Sequence, residues 1–203
     1  MPAANPPTNP RGRPREFDLE AALDRAIPVF CSGGFHGTSL NDLAEGMQLT
    51  QGSIYKAFKD KRQLFFAALS RQEMFYADQL RTMLEKAGSG HEMLRAALLF
   101  YAGLAMGSEG MQGCLVVTTA VELAASDREI AQRVSRSFRR RQKFLAELIC
   151  QGHNDGSIPK HVDSEGTAWM MLFLFQGLRV VGKTGIIRKE LTRAVDAAMK
   201  TLR

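Results

Sequence analysis

Residues 38–64, TSLNDLAEGMQLTQGSIYKAFKDKRQL, decide the fold, because residue types at fixed offsets there predict one local structure and one activity together. Thr38 and Ser39 offer cap hydroxyls, and Leu40, Leu43, Ala44 and Met47 recur at helical spacing, which predicts a short helix with one apolar face. Gln48 and Leu49 form the turn. Thr50 caps a second short helix, in which Ile54 and Phe58 share the buried side while Gln51, Gly52, Ser53, Tyr55 and Lys56 point elsewhere, as donors rather than core formers. Asp60 and Gln63 make a capping-box-like start for a third helix and put Lys61 and Arg62 in its first turn, where the helix dipole disfavours cations. Cations set there against local preference imply an anionic partner. The stretch reads as a helix-turn-helix.

Read with Gly34-Phe35-His36-Gly37 before it, the stretch resembles the tetracycline-repressor (TetR) family of bacterial transcription regulators. The residues that carry the likeness are Thr38-Ser39-Leu40, Leu43-Ala44, Leu49-Thr50, Gly52 to Phe58, Lys61 and Leu64. About thirty residues with fixed internal spacing make a specific motif, though it covers only the first third of the chain. The family usually has a turn glycine where this chain has Gln48, with Gly46 two positions earlier. A non-glycine residue in the left-handed region is strained, so this departure bears on the angle of the second helix. The resemblance implies that Lys61, Tyr55 and Thr38 bind backbone phosphates, which positions the module without reading sequence. Gln51, Ser53 and Lys56 are the candidates for base edges, Gln for adenine and Lys for guanine, while Thr50 caps the helix and Gly52 lets backbone approach the groove.

Upstream, residues 1–10 are rich in proline and small polar residues and are expected to form a disordered tail. Arg11, Arg13 and Arg15 follow on a backbone kept extended by Pro14; they suit an AT-rich minor groove, or equally a solvated basic arm. Asp18 caps a helix carrying Leu19, Leu23, Ala26, Ile27 and Phe30 that ends at Gly33-Gly34, with Pro28 expected to kink or loosen its last turn.

Downstream the pattern is long, apolar-periodic and helical: about 64–86, 92–106, a Gly-rich break to 113, then 114–124, 126–151, 164–183 and 187–202. The expected fold is all-α, with a helix-turn-helix domain over 11–63 and a helical-bundle ligand-binding and dimerisation domain over 64–203. The helix from 64 to 86 is the expected coupling rod. Trp169, Phe173, Phe175, Leu178, Val181, Val195 and Met199, with Met170 and Val180, supply more apolar surface than two helices bury alone, and the resemblance also puts the dimer interface there. Effector-pocket candidates are Met93, Leu98, Phe100, Tyr101, Met106, Met111, Cys114 and Trp169.

With 203 residues, 45% of them hydrophobic, the chain buries a real core. The formal charge of +6 permits nucleic acid as partner without selecting it. In residues 1–62 eight Lys or Arg nearly cancel against seven Asp or Glu, so the positive charge is local, around Arg11–Arg15 and Lys56–Arg62. Cys31, Cys114 and Cys150 lack the spacing of a zinc site or a disulfide framework, and the four histidines are scattered. No catalytic residues, metal or cofactor are expected, and the absence of a secretory or membrane-spanning pattern predicts a cytoplasmic protein. The expected partners are double-stranded DNA with a pseudo-palindromic operator, a second copy of the chain, and a small-molecule effector, the function being that of a dimeric repressor.

Three alternatives accompany this reading. Cys114 between Gly113 and an apolar helix start suits a cysteine-based electrophile or redox sensor, and the Gly-Cys-Leu opening looks like that of one subgroup of the family. Residues 177–184, GLRVVGKT, match the pattern of a phosphate-binding loop, but bulky Leu-Arg-Val-Val continues the helix instead of folding around phosphate. A helical interaction protein with a vestigial helix-turn-helix is the third.

Overall fold

The computed structural model describes residues 17–202, and over this span the chain forms ten α-helices and no strand. The tail 1–10 and the arm residues Arg11, Arg13 and Arg15 lie outside the described residues. Helix α1, Leu19–Gly33, starts where the Asp18 carboxylate accepts the amides of Glu20 and Ala21. It runs unbroken through Pro28, although the missing amide proton leaves the Asp24 carbonyl without its helical partner. Helix α2, Leu40–Met47, is capped by the reciprocal pair Ser39 and Asp42, α3, Gln51–Ala57, by Thr50, and α4, Lys61–Leu84, by Asp60.

The turn between α2 and α3 absorbs the unusual residue noted above. Gln48 has φ 57 and ψ 42, the one non-glycine residue at positive φ among those described, and its amide reaches the carbonyls of Ala44 and Glu45. That is the left-handed helix stop usually made by glycine, held here at a strain of about 1–2 kcal/mol. The substitution costs stability but leaves the turn conformation intact. Gly46 serves packing instead: a Cβ there would meet Val29 Cγ2 at 2.5 Å, so its absence lets α2 close on α1.

Two apolar cores organise the molecule, and they do not divide at residue 63. The first joins α1, α2, α3 and the front of α4 through Phe30, Leu43, Met47, Ile54, Leu64 and Phe65. It also takes in Cys114, Leu115, Val116 and Leu123 from α7, Leu115–Leu123, with its cap, and Ile130 and Val134 from α8, Arg128–Asp155. The second joins the back of α4, α5 (Gly90–Gly103), the far half of α8, α9 (Ser164–Val181) and α10 (Arg188–Met199). Both α4 and α8 pass through both cores. The Gly-rich break expected after α5 holds a short helix, α6, Gly107–Gln112.

One alternative is excluded, as its helical pattern implied, and one expectation is corrected. Residues 177–181 lie inside α9 and Gly182–Thr184 is a single 3-10 turn, so there is no strand and no loop to cradle phosphate; the nucleotide-binding alternative fails on backbone geometry. Phe175, Leu178, Val195 and Met199 belong to the chain's own second core rather than to a partner surface. The reason is helical register: on α9, Ala168, Met171, Leu172, Phe175 and Leu178 face inward, which turns Met170, Phe173, Val180 and Val181 outward. Trp169, half-buried, stacks obliquely beside Phe173 with ring centroids 5.6 Å apart.

Candidate nucleic-acid interface and ligand cleft

Helix α3 buries Ile54 and, at its end, Phe58, and this anchoring sets its free side. Gln51, Gly52, Tyr55 and Lys56 are exposed, Tyr55 by 52%, which separates it from the core residues at once. The Gln51 side-chain Nε2 donates to the Asn41 side-chain Oδ1 on α2, which leaves Oε1 and one N–H of Gln51 free. Ser53 is half-buried, its hydroxyl 3.0 Å from that of Thr50, whose oxygen also accepts the Ser53 amide.

Two sequence expectations change here. Thr38 is 2% exposed and donates its hydroxyl to the Gly34 carbonyl at 2.6 Å, so it closes a loop inside the chain and is not available to phosphate; Ser39 alone is the cap of α2. The cations in the first turn of α4 also have internal partners. Lys61 donates to the carbonyls of Phe35 at 2.8 Å and Thr38 at 2.9 Å, and its ammonium lies 4.5 Å from the Phe35 ring centroid. Only one of its three N–H groups remains uncommitted. Arg62 bonds both carboxylate oxygens of Asp127, at 2.5 and 3.1 Å, and Glu129 at 2.7 Å. Their placement against the dipole is therefore explained without an outside anion.

Arg62 and Asp127 form half of a clasp that joins α4 and the loop before α2 to the α7–α8 corner. The other half is Glu122, near the end of α7, whose carboxylate accepts the amides of Phe35 at 2.8 Å and His36 at 2.7 Å. Gly34, at φ 68, sits against that carboxylate; a Cβ there would collide with it. Glu122→Ala should strip both amides of their acceptor and raise their hydrogen-exchange rates about tenfold or more, as read by amide exchange. Arg62 holds the Asp127 carboxyl down to about 2. Because the folded value lies below the unfolded 3.8, this stabilisation is present above pH 3.8 and is lost as pH falls through 2. Between pH 5 and 8 the Arg62–Asp127 pair should therefore not change, and an NMR titration of the Asp127 carboxyl should be flat there. None of these acidic residues was legible as functional, since they lie 65 to 87 positions from their partners and no local pattern marks them.

A cleft of about 560 Å³ opens between α4, α5 and α8. Its apolar lining is Ala77, Leu80, Leu84, Met93 and Phe144, and its polar lining includes Tyr76, Tyr101, Arg81, Arg140 and Arg141. Of the pocket candidates from sequence, Met93 and Tyr101 line it. Leu98 and Phe100 face the second core, because only one side of α5 meets the cleft. Met106 packs on that core and Met111 is 63% exposed, neither in the lining, while Trp169 belongs to α9 beside the outward stripe. Cys114 is buried in the first core at the cap of α7, and the neighbouring Cys31 thiol is pushed up to about 12, first by burial and then by Cys114. Only Cys150 of the three is exposed.

Comparison with known proteins draws these parts together. Residues 22–68 match the family described as bacterial regulatory proteins, tetR family, and residues 90–198 match the tetracyclin repressor-like, C-terminal domain. The chain is 28% identical over 191 residues to the HTH-type transcriptional repressor ComR of Escherichia coli (strain K12), covering 94% of this chain and 91% of that protein. It is 31% identical over 141 residues to the uncharacterized HTH-type transcriptional regulator YezE of Bacillus subtilis (strain 168), covering 70% and 71%. Among solved structures, a cysteine mutant of the regulator CifR, complexed with 26 bp double-strand operator DNA, superimposes with a TM-score of 0.84 at 29% identity, covering 95% of this chain and 100% of that one.

Proposed function

Because the chain belongs to the tetracycline-repressor family of bacterial transcriptional regulators, we propose that it is a dimeric repressor that reads a pseudo-palindromic operator with α3 and leaves it when a small molecule fills the α4–α5–α8 cleft. The observation that carries this is the division of α3: Ile54 inward, and Gln51, Tyr55 and Lys56 outward on a helix short enough to enter a major groove. The operator complex of the similar CifR protein supports the same use of the module. Gln51 and Lys56 read base edges, with Ser53 beside them; Tyr55, Thr50 and the remaining N–H of Lys61 reach phosphates, and Gly52 lets the backbone come close. A second copy is needed because one such helix reads only a few base pairs, and the outward stripe of α9 at Trp169, Phe173 and Val181 is the surface for it.

Release follows from shared elements. The cleft and the reading helices are both built on α4 and α8, and the clasp at Arg62, Asp127 and Glu122 ties the start of α8 to α4 and the end of α7 to the loop before α2. A ligand that fits one spacing of α4 and α8 better than another changes the separation of the two recognition helices in the dimer, and with it operator affinity. A chromosomal partner implies the cytoplasm, and no described helix is long and apolar enough to cross a membrane.

Selection from a random-sequence DNA pool tests the reading. The expected outcome is a palindrome with half-sites about 34–36 Å or somewhat more apart and an affinity that falls steeply with salt. Gln51→Ala should then cost about 1–3 kcal/mol at particular base pairs, whereas loss of a phosphate contact at Tyr55 weakens all sequences alike. Selection that enriches nothing from an intact dimer, with and without candidate effectors, would refute operator reading.

A further inference from the structure

The cleft has a chemical polarity that narrows what it holds. Three of its lining residues carry donors without an internal partner among the described residues, the Arg141 guanidinium and the hydroxyls of Tyr76 and Tyr101, and the Arg141 charge acts on the Tyr101 hydroxyl. The adjacent carboxylate, Glu73, is already spent on Arg140 at 2.9 Å and on the Ser137 hydroxyl. Arg141 therefore faces the cleft without a counter-charge, half-buried beside Tyr101. A guanidinium in such surroundings gains most from a carboxylate, which accepts two parallel N–H bonds.

Both phenols add donors of the same sense. Burial pushes the Tyr76 hydroxyl up to about 12 and raises that of Tyr101, so each keeps its proton over the physiological range. From there the cleft follows α4 from Glu73 to Glu85, about 18 Å at 1.5 Å per residue, past Ala77, Leu80 and Leu84. Those walls offer hydrocarbon contacts, and Arg81, which also lines this stretch, is paired with Asp78 at 2.8 Å. Glu85 stands at the far end, where its charge repels a second acid group.

We infer that the cleft takes an amphipathic monoacid, with its carboxylate on Arg141, Tyr101 and Tyr76 and its hydrocarbon body laid along α4. This rests on the cleft being the effector site. A neutral alcohol of the same body leaves Arg141 unpaired, and a quaternary ammonium meets a like charge.

Titration calorimetry of the full-length dimer with decanoate, 1-decanol and decyltrimethylammonium, below their aggregation limits, decides it. Decanoate should bind about tenfold or more tighter than decanol, and the ammonium should not bind. In Arg141→Gln the ratio of acid to alcohol affinity should fall to about one with decanol unchanged, whereas Ala77→Phe, which fills the cleft, should weaken both. Equal affinity for acid and alcohol, an undiminished ratio in Arg141→Gln, or no binding of decanoate overturns the monoacid. If Ala77→Phe still abolishes alcohol or ammonium binding, the cleft remains the ligand site; if decanoate binds Ala77→Phe as it does the unaltered protein, the cleft itself is the wrong place.

Discussion

Phe173→Arg is expected to leave the protein monomeric and to lower its operator affinity by about 10²–10⁴-fold, the factor that linking two reading modules contributes. Phe173 is 65% exposed on α9, and with Met170, Val180 and Val181, each more than 40% exposed, it forms one outward apolar stripe. Such a stripe in water calls for a partner helix. Because a two-fold axis brings like positions together, an arginine there faces its own copy as well as an apolar wall. The fold of each chain should survive, since Phe173 lies outside both cores and surface changes usually stay within about 0.5 kcal/mol. Sedimentation velocity and operator titration on the same sample read the two effects. A variant that stays dimeric would move the interface off this stripe.

Phe65→Ala should be the most damaging single truncation, at about 3–5 kcal/mol. The ring is 1% exposed in the first core, edge-on to Phe30 at 5.0 Å and to Phe35 at 5.1 Å. It thereby braces α1, the loop that accepts the clasp, and α4 at once. Against a total stability of about 5–15 kcal/mol, the loss is large enough to loosen the reading helices at growth temperature. Urea unfolding gives the magnitude, and faster reaction of the buried Cys31 and Cys114 with a thiol reagent should accompany it. An unfolding midpoint close to that of the unaltered protein would mean that the ring is not central to this core.

Helix existence was legible everywhere except at the short Gly-rich α6, because caps and periodicity are local. Asp18, Ser39, Thr50 and Asp60 each sit within three residues of the amides they accept, so their role is written in adjacent letters. The two-faced character of α3 was legible for the same reason. Less was legible at positions whose environment is assembled from afar. Lys61 and Arg62 looked like cations waiting for an anion, but their partners are carbonyls 23 and 26 positions earlier and carboxylates 65 and 67 positions later. Leu98 and Phe100 looked no different from Met93 and Tyr101 on the same helix, yet only the latter two line the cleft.

By itself, then, the sequence determined that the chain is helical, that residues 38–64 form a reading module, and which side of its second helix is polar. Those are consequences of spacing and capping, forces that act over one or two turns. Only the tertiary structure decided that Thr38 is sealed inside, that Phe175 and Val195 serve the chain's own core, and that Glu122 and Asp127 clasp the loop before α2 and the start of α4. It also decided that Arg141 faces an apolar cleft without a counter-charge. Burial and ion pairing depend on which helices meet and at what register, and helical periodicity gives every apolar residue the same signature whether its neighbour is its own core, a ligand or a second chain.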